Sequence, residues 1–137
     1  MRLTWYGQSF FELETATGTT VLVDPWMDGN PMNDATTEDF DPDVVAITHG
    51  HADHTTDAHR FDGVPVIGQP ETGGFLAERG YDDVVTMNVS GTYEHDGVSF
   101  TMTKAFHSSG APLDADYDYP MGTPVGYVID DGETKFY

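Results

Sequence analysis

Residues 44–54, Val-Val-Ala-Ile-Thr-His-Gly-His-Ala-Asp-His, constrain the fold more than any other stretch of the chain. An unbroken apolar run that ends in polar residues is the signature of a strand buried on both faces. Such a strand delivers whatever follows it to the edge of a sheet. Here it delivers three imidazoles and a carboxylate: His49, His51, Asp53 and His54. A lone loop histidine is usually a surface residue, but this spacing behind an apolar strand points to a metal. His and Asp are ligands of borderline ions such as Zn²⁺, Mn²⁺ or Fe²⁺, and a short loop turns alternate side chains toward one point. Gly50 is expected to help through backbone angles that other residues resist, letting His49 and His51 converge. Asp53 is expected at a helix N-terminus with His54 in the first turn, projecting on a different side. That arrangement suits two metals better than one.

The rest of the composition narrows the chemistry. With no Cys in 137 residues, a disulfide framework, a Cys-type zinc finger, an iron–sulfur site and a cysteine nucleophile are all excluded. The length suits one domain at most. There are 24 Asp plus Glu against 5 Lys plus Arg, a formal charge of −19, yet the charged fraction of 21% is near the ordinary ~25%. The oddity is the sign. Eight Phe, seven Tyr and two Trp supply the apolar surface that disordered acidic chains lack. At molar salt the screening length falls to roughly 3 Å, which makes such a surface tolerable, and the pattern resembles that of proteins from salt-in halophilic organisms. The alternatives are an acidic face for a basic partner and an ordinary acidic protein. Nucleic acid is disfavoured as a partner because the cations at 2, 60, 79, 104 and 135 form no basic patch in sequence. No apolar run nears the roughly 18 residues of a membrane span, and the start lacks a secretory stretch, so a soluble, cytoplasmic protein with no membrane partner is expected.

Alternation marks strands at Leu3 to Tyr6, Phe10 to Glu14 and Thr20 to Asp24, an antiparallel meander with Gly18 in its second turn. Residues 25–43 read as a long surface loop, and loops of that length are often functional. A strand at Val64 to Ile67 precedes a helix from Pro70 to Gly80, which Gly73 and Gly74 weaken. Val84 to Met87 follows, then a hairpin through Asp96-Gly97 between Thr92 to Glu94 and Val98 to Phe106. A last hairpin joins Val125 to Ile129 with Thr134 to Tyr137.

His107, just after the strand at 98–106, gains weight from the cluster: a catalytic zinc site has three protein ligands and an open position, and His49, His51 and His107 supply that count. His59 and His95 lack such context and read as exposed. Asp24, at a strand end before Pro25, is either a partner to a metal-bound imidazole or a turn cap. Trp26, Phe40 and Tyr117 read as packing residues. Ser9, Ser108 and Ser109 sit in no G-x-S-x-G elbow, and no phosphate loop or dinucleotide fingerprint is present.

The H-x-H-x-D-H pattern after a buried strand resembles the signature of the metallo-β-lactamase superfamily. Within it, the chain is similar to metal-dependent hydrolases related to ascorbate-phosphate lactonases. The likeness rests on Tyr6 to Ser9, Val21 to Trp26, Gly29-Asn30-Pro31, Thr48 to His54, Ala105 to Ser109 and Pro124 to Tyr127. Relatives often carry His where Gln8 stands. The resemblance implies an α/β (α+β) fold, the first half of a four-layer αββα sandwich, with residues 1–137 forming one incomplete domain. It implies His49, His51 and His107 as ligands of a first metal, and Asp53 and His54 as ligands of a second whose bridging Asp and further His would lie beyond Tyr137. Zn²⁺ is the expected ion, with Mn²⁺ or Fe²⁺ as alternatives; the complete enzyme would hold two ions and this chain at most one.

The implied activity is a metal-dependent hydrolase acting through a metal-bound hydroxide on a small ester, lactone or phosphorylated metabolite. The metal lowers the pKa of water from about 15.7 toward about 7, and Asp53 is the expected catalytic residue, orienting the hydroxide and accepting its proton. With its second metal site incomplete, this chain alone is expected to turn over weakly or not at all; competing readings are an inactive metal-binding fragment and a nuclease of the same superfamily. Half a sandwich leaves apolar sheet surface uncovered, so self-association into a homo-oligomer or partial unfolding is expected.

Overall fold

Two sheets face each other, and helical segments cover the outer face of the larger one. In the computed structural model the described residues are 1–112, 116 and 120–137; Tyr117 lies outside them. The first sheet has the order β1 (Arg2–Trp5), β2 (Phe11–Glu14), β3 (Thr20–Val23), β4 (Val44–Ala46), β5 (Val66–Gly68), β6 (Val84–Thr86). The three first strands form the expected antiparallel meander, and β3 to β6 then run parallel. The second sheet is antiparallel, from β7 (Thr92–His95) through β8 (Val98–Lys104) and β9 (Val125–Asp130) to β10 (Lys135–Phe136). Its β7–β8 hairpin turns on Asp96 and Gly97 with φ of 45° and 80°, the left-handed pair that such a tight turn demands.

Side chains alternate across the first sheet and divide the core in two. Leu13, Val21, Val44, Ala46 and Ile67 point inward against Val98, Phe100, Met102, Tyr127 and Ile129 of the second sheet. Phe10, Leu22, Val45 and Val66 point outward, beneath Phe75 and Leu76 of the helix α2 (Pro70–Glu78) and beside Phe40. β4 contributes to both layers and all three of its residues are buried, which accounts for the continuous apolar run. Helix, sheet and sheet thus stack as three layers, a mixed α/β architecture consistent with the metallo-β-lactamase fold.

Gly73, read as a weak point of α2, instead lets it lie close on β6: a Cβ there would stand 2.6 Å from Cγ2 of Thr86. The long loop after β3 contains a short 3₁₀ turn at Thr37–Asp39, and its Phe40 packs among Tyr6 and Phe10 as expected. Its beginning is tied down by Asp57, whose buried carboxylate accepts the amides of Met27 (2.7 Å) and Asp28 (2.9 Å) and pairs with Arg60 Nε (2.9 Å). Trp26 is half-buried, its indole donating to Asp28 O. Among the described residues, no helix is long and apolar enough to cross a membrane.

Candidate metal centre

Parallel strands carry their ligand-binding groups at their carboxyl ends, and β3 and β4 lie side by side. Asp24 follows β3, and Thr48-His49 follows β4 by two residues. The chain then turns through His51, whose backbone caps the short helix α1 (Ala52–Thr55), placing Asp53 and His54 in its first turn as expected. His107 arrives from the other sheet, three residues beyond β8. The sheets are clamped together here. The amide of Val125 donates to Thr48 O (3.0 Å), and the Tyr127 hydroxyl reaches the carbonyls of Ile47 (2.8 Å) and Ile67 (3.1 Å).

The structure brings His49, His51 and His107 together: one ring nitrogen from each lies within 4.8 Å of the others. His49 Nε2 and His51 Nδ1 are 3.0 Å apart. Donors about 2.0–2.1 Å from a tetrahedrally bound zinc stand roughly 3.3 Å from one another; the His49–His51 pair is at that spacing, and the third nitrogen, within 4.8 Å, would close in on a bound ion. His49 is buried, His51 partly buried and His107 exposed, which leaves the cluster open on one side.

The hydrogen-bond network sets which nitrogen each ring presents. Thr48 has one hydroxyl proton, which it gives to Asp24 Oδ2 (2.7 Å), so at 2.9 Å it accepts from His49 Nδ1 and leaves Nε2 of His49 as a lone pair. His54 Nδ1 donates to the same Asp24 oxygen (2.7 Å), again freeing Nε2. Asp24 is therefore the partner of an imidazole and not merely a turn cap. It is 1% exposed, adopts φ of 47°, and its Oδ1 also accepts the Thr48 amide (2.8 Å).

Burial, followed by the neighbouring imidazoles of His54, His51 and His107, pushes His49 down to about 3. A neutral ring is what a metal ligand requires. Burial opposes charge on His54 too, but the hydrogen bond and charge of Asp24, helped by Asp53, outweigh it and raise its pKa.

Asp53 and His54 do not project away from the other rings. The His54 ring lies 4.0 Å from that of His49, centroid to centroid, and both residues line the cleft that His49, His51 and His107 line. That cleft has a volume of about 630 Å³ and extends between the sheets past Phe11, Val23, Ile129 and Tyr137. Gly50 works differently from expectation: its φ is not positive, and what its missing side chain provides is room for Met121, whose Cε would lie 2.5 Å from a Cβ there. Ser109 holds the same loop, accepting the Gly50 amide (3.3 Å) and donating to Met121 O (3.2 Å). Neither role had a signal in the sequence.

His59 is exposed and outside the cluster, as expected. His95 is also outside it, but is partly buried against Tyr93 rather than exposed, because both sit on one face of β7.

Residues 19–137 match the family described as Beta-lactamase superfamily domain. The chain is 39% identical to a UPF0173 metal-dependent hydrolase of Methanopyrus kandleri, over 100% of its own length and 60% of that protein's. It is 42% identical to one from Halobacterium salinarum, over 96% of its length and 53% of the relative's. Among solved structures it is similar to Igni18, a metallo hydrolase from the hyperthermophilic archaeon Ignicoccus hospitalis, with a TM-score of 0.75 and 33% identity, covering 95% of this chain and 56% of the other. The chain thus spans little more than half the length of these relatives. The match across most of its length, on a two-sheet fold that ends its strands at three converging imidazoles, makes this chain a member of the metallo-β-lactamase superfamily.

Proposed function

We propose that His49, His51 and His107 hold a divalent metal ion, Zn²⁺ in the first instance, and that the chain is part of a hydrolase of small esters or lactones. The reading rests chiefly on one observation, the convergence of three imidazole nitrogens within 4.8 Å at the mouth of a cleft. When bound, such an ion supplies Lewis acidity and brings the pKa of its water toward about 7.

The chain's own groups do the rest. Thr48 fixes the tautomer of His49 so that it offers Nε2, and Asp24 keeps Nδ1 of His54 as a donor, so Nε2 is the nitrogen His54 would offer on giving up its second proton. Asp53, partly exposed in the same cleft, is positioned to accept a proton from water attacking the substrate carbonyl, and with His54 it offers ligands for a second ion. Among the described residues no Lys or Arg lines the cleft, while Phe11, Val23, Val125 and Ile129 do. That lining supports an uncharged acyl substrate over a phosphorylated metabolite, and disfavours the nuclease reading, which calls for cations along a phosphate backbone.

The test is titration of the 137-residue chain with Zn²⁺ or Mn²⁺ in molar KCl, followed by calorimetry, with turnover measured on a lactone, an ester and a phosphodiester. One tightly bound ion with at most weak lactone or ester hydrolysis is the expected result. One ion without turnover would assign this chain as a metal-binding fragment, and no uptake of either ion would reject the metal centre.

A further inference from the structure

Among the described residues, Gln8, Asp24, Ser90 and Asp96 are the non-glycine residues with positive φ. Asp96 and Ser90 flank β7, away from the cleft. The other two aim their side chains at adjacent residues of α1: Asp24 holds His54, and Gln8 donates its amide Nε2 to Asp53 Oδ2 at 3.2 Å. Left-handed backbone is costly for a residue with a side chain, and persists where the surroundings over-determine it, typically at functional sites.

The surroundings of Gln8 do so. It follows Gly7, which has φ of 103° and packs so closely on Met32 that a Cβ would stand 2.3 Å from the Met32 Cβ. Its carbonyl accepts the Trp5 indole (2.9 Å), and Phe10 N donates to Gly7 O (3.0 Å). The β1–β2 turn is thereby pinned, and Gln8 is presented at the mouth of the metal cleft.

We propose that Gln8 is a positioning residue that fixes the Asp53 carboxylate toward the histidine cluster. The proposal rests on the metal-centre reading above. The bond spans 45 residues and is solvent-exposed, so it contributes little to the fold and is better explained by where it puts Asp53. Both contacts of Asp53, to Gln8 Nε2 and to His54 Nε2 at 3.5 Å, fall on Oδ2. Gln8 thus restrains that oxygen from the β1–β2 turn, outside the helix that carries Asp53.

The experiment is a double-mutant cycle on the 137-residue chain, read by Co²⁺ affinity and by the visible absorption of the bound Co²⁺. Gln8→Met keeps the length of the side chain and removes the donor; Gln8→Gly removes the donor and also the cost of positive φ; Asp53→Ala removes the group acted upon. Gln8→Met and Gln8→Gly are expected to weaken uptake of a second Co²⁺, the one that Asp53 and His54 would hold, by about 10–100-fold and alter its absorption, while the first ion binds as in the parent and Gln8→Gly melts no lower than the parent. In the Asp53→Ala background the Gln8 substitutions are expected to add nothing. Unchanged Co²⁺ affinity and absorption in both Gln8 variants, or an effect that persists in full without Asp53, overturns the proposal while leaving the metal centre intact. An Asp53→Ala chain that binds the second Co²⁺ like the parent removes Asp53 from the metal centre and takes the proposal with it.

Discussion

On one side of the centre the imidazoles of His49, His51 and His107 face one another with no carboxylate among the three, whereas on the other side His54 lies between two, Asp24 at 2.7 Å and Asp53 at 3.5 Å. His49 and His54 are in ring contact, yet their surroundings push their protonation in opposite directions. The His54 side carries its own compensating charge and is complete as a protein structure. The three-imidazole side has only lone pairs to offer, and its charge must come from outside.

That contrast is broken most severely by removing one of the three imidazoles. His51→Ala or His107→Ala takes a ligand from a set of three and is expected to abolish tight Zn²⁺ uptake and any turnover. Because His51 is only partly buried and His107 is exposed, thermal stability of the metal-free chain should change little. Calorimetric titration alongside a metal-free melt checks both halves. A large loss of metal-free stability would show that these rings are packing residues.

Asp24→Ala strikes the other side, and there the effect on the fold comes first. Its carboxylate is buried and accepts from His54 Nδ1, Thr48 Oγ1 and the Thr48 amide. Removing it leaves a buried imidazole without its counter-ion, a change that costs about 3–5 kcal/mol of stability by the usual measure of broken buried pairs. Metal affinity is expected to fall by about 10–100-fold as the His49 and His54 tautomers lose their restraint. Urea denaturation of the metal-free chain isolates the first effect, and Zn²⁺ titration of whatever remains folded isolates the second.

The two sides were unequally legible in the sequence. His49, His51, Asp53 and His54 stand in one short motif behind an apolar strand, and His107 follows a strand of clear alternation, so spacing and periodicity suffice to nominate them. Most strands, both hairpin turns and α2 follow from the same local signals. What supports the motif is not local. Asp24 was ambiguous because its partner lies 30 residues away, and the contact of Gln8 spans 45. Gly50 misled, since a glycine beside a motif suggests backbone freedom, and only the packed chain shows Met121 filling the space instead. Local preference reports on φ and pattern, and close approach between distant segments leaves no periodic trace.

Opposite titration of neighbouring rings is the next consequence. In the metal-free chain His49 stays neutral down to about 3, so between 6.5 and that value the unfolded chain takes up a proton that the folded one refuses, and stability is lost as pH falls. His54 has a raised pKa, so its contribution is fully present below 6.5 and is lost as pH rises through its folded value. The two windows meet near 6.5, where the metal-free chain is expected to be most stable with respect to this pair. Histidine ring resonances followed by NMR against pH check the assignment: His54 should titrate above 6.5 and His49 only in acid. Parallel titration of both rings near 6.5 would erase the contrast between the two sides.

The smallest expected effect concerns what the two sides share. Tyr127 is buried between the sheets, and its hydroxyl reaches Ile47 O and Ile67 O, just below the point where β4 releases the motif. Tyr127→Phe keeps the ring and removes the hydroxyl. Ile67 O retains the Ile47 amide at 2.9 Å, so the principal loss is the donor to Ile47 O, a net of about 0.5–1.5 kcal/mol. Because the backbone bond from Val125 to Thr48 still clamps β9 to the strand end, the imidazoles should keep their spacing and Zn²⁺ affinity should stay within about threefold of the parent. A modest drop in urea midpoint at unchanged metal affinity is the expected pair of readings. A large fall in metal affinity would mean instead that the hydroxyl, and not the backbone clamp, sets the distance between His107 on one sheet and His49 on the other.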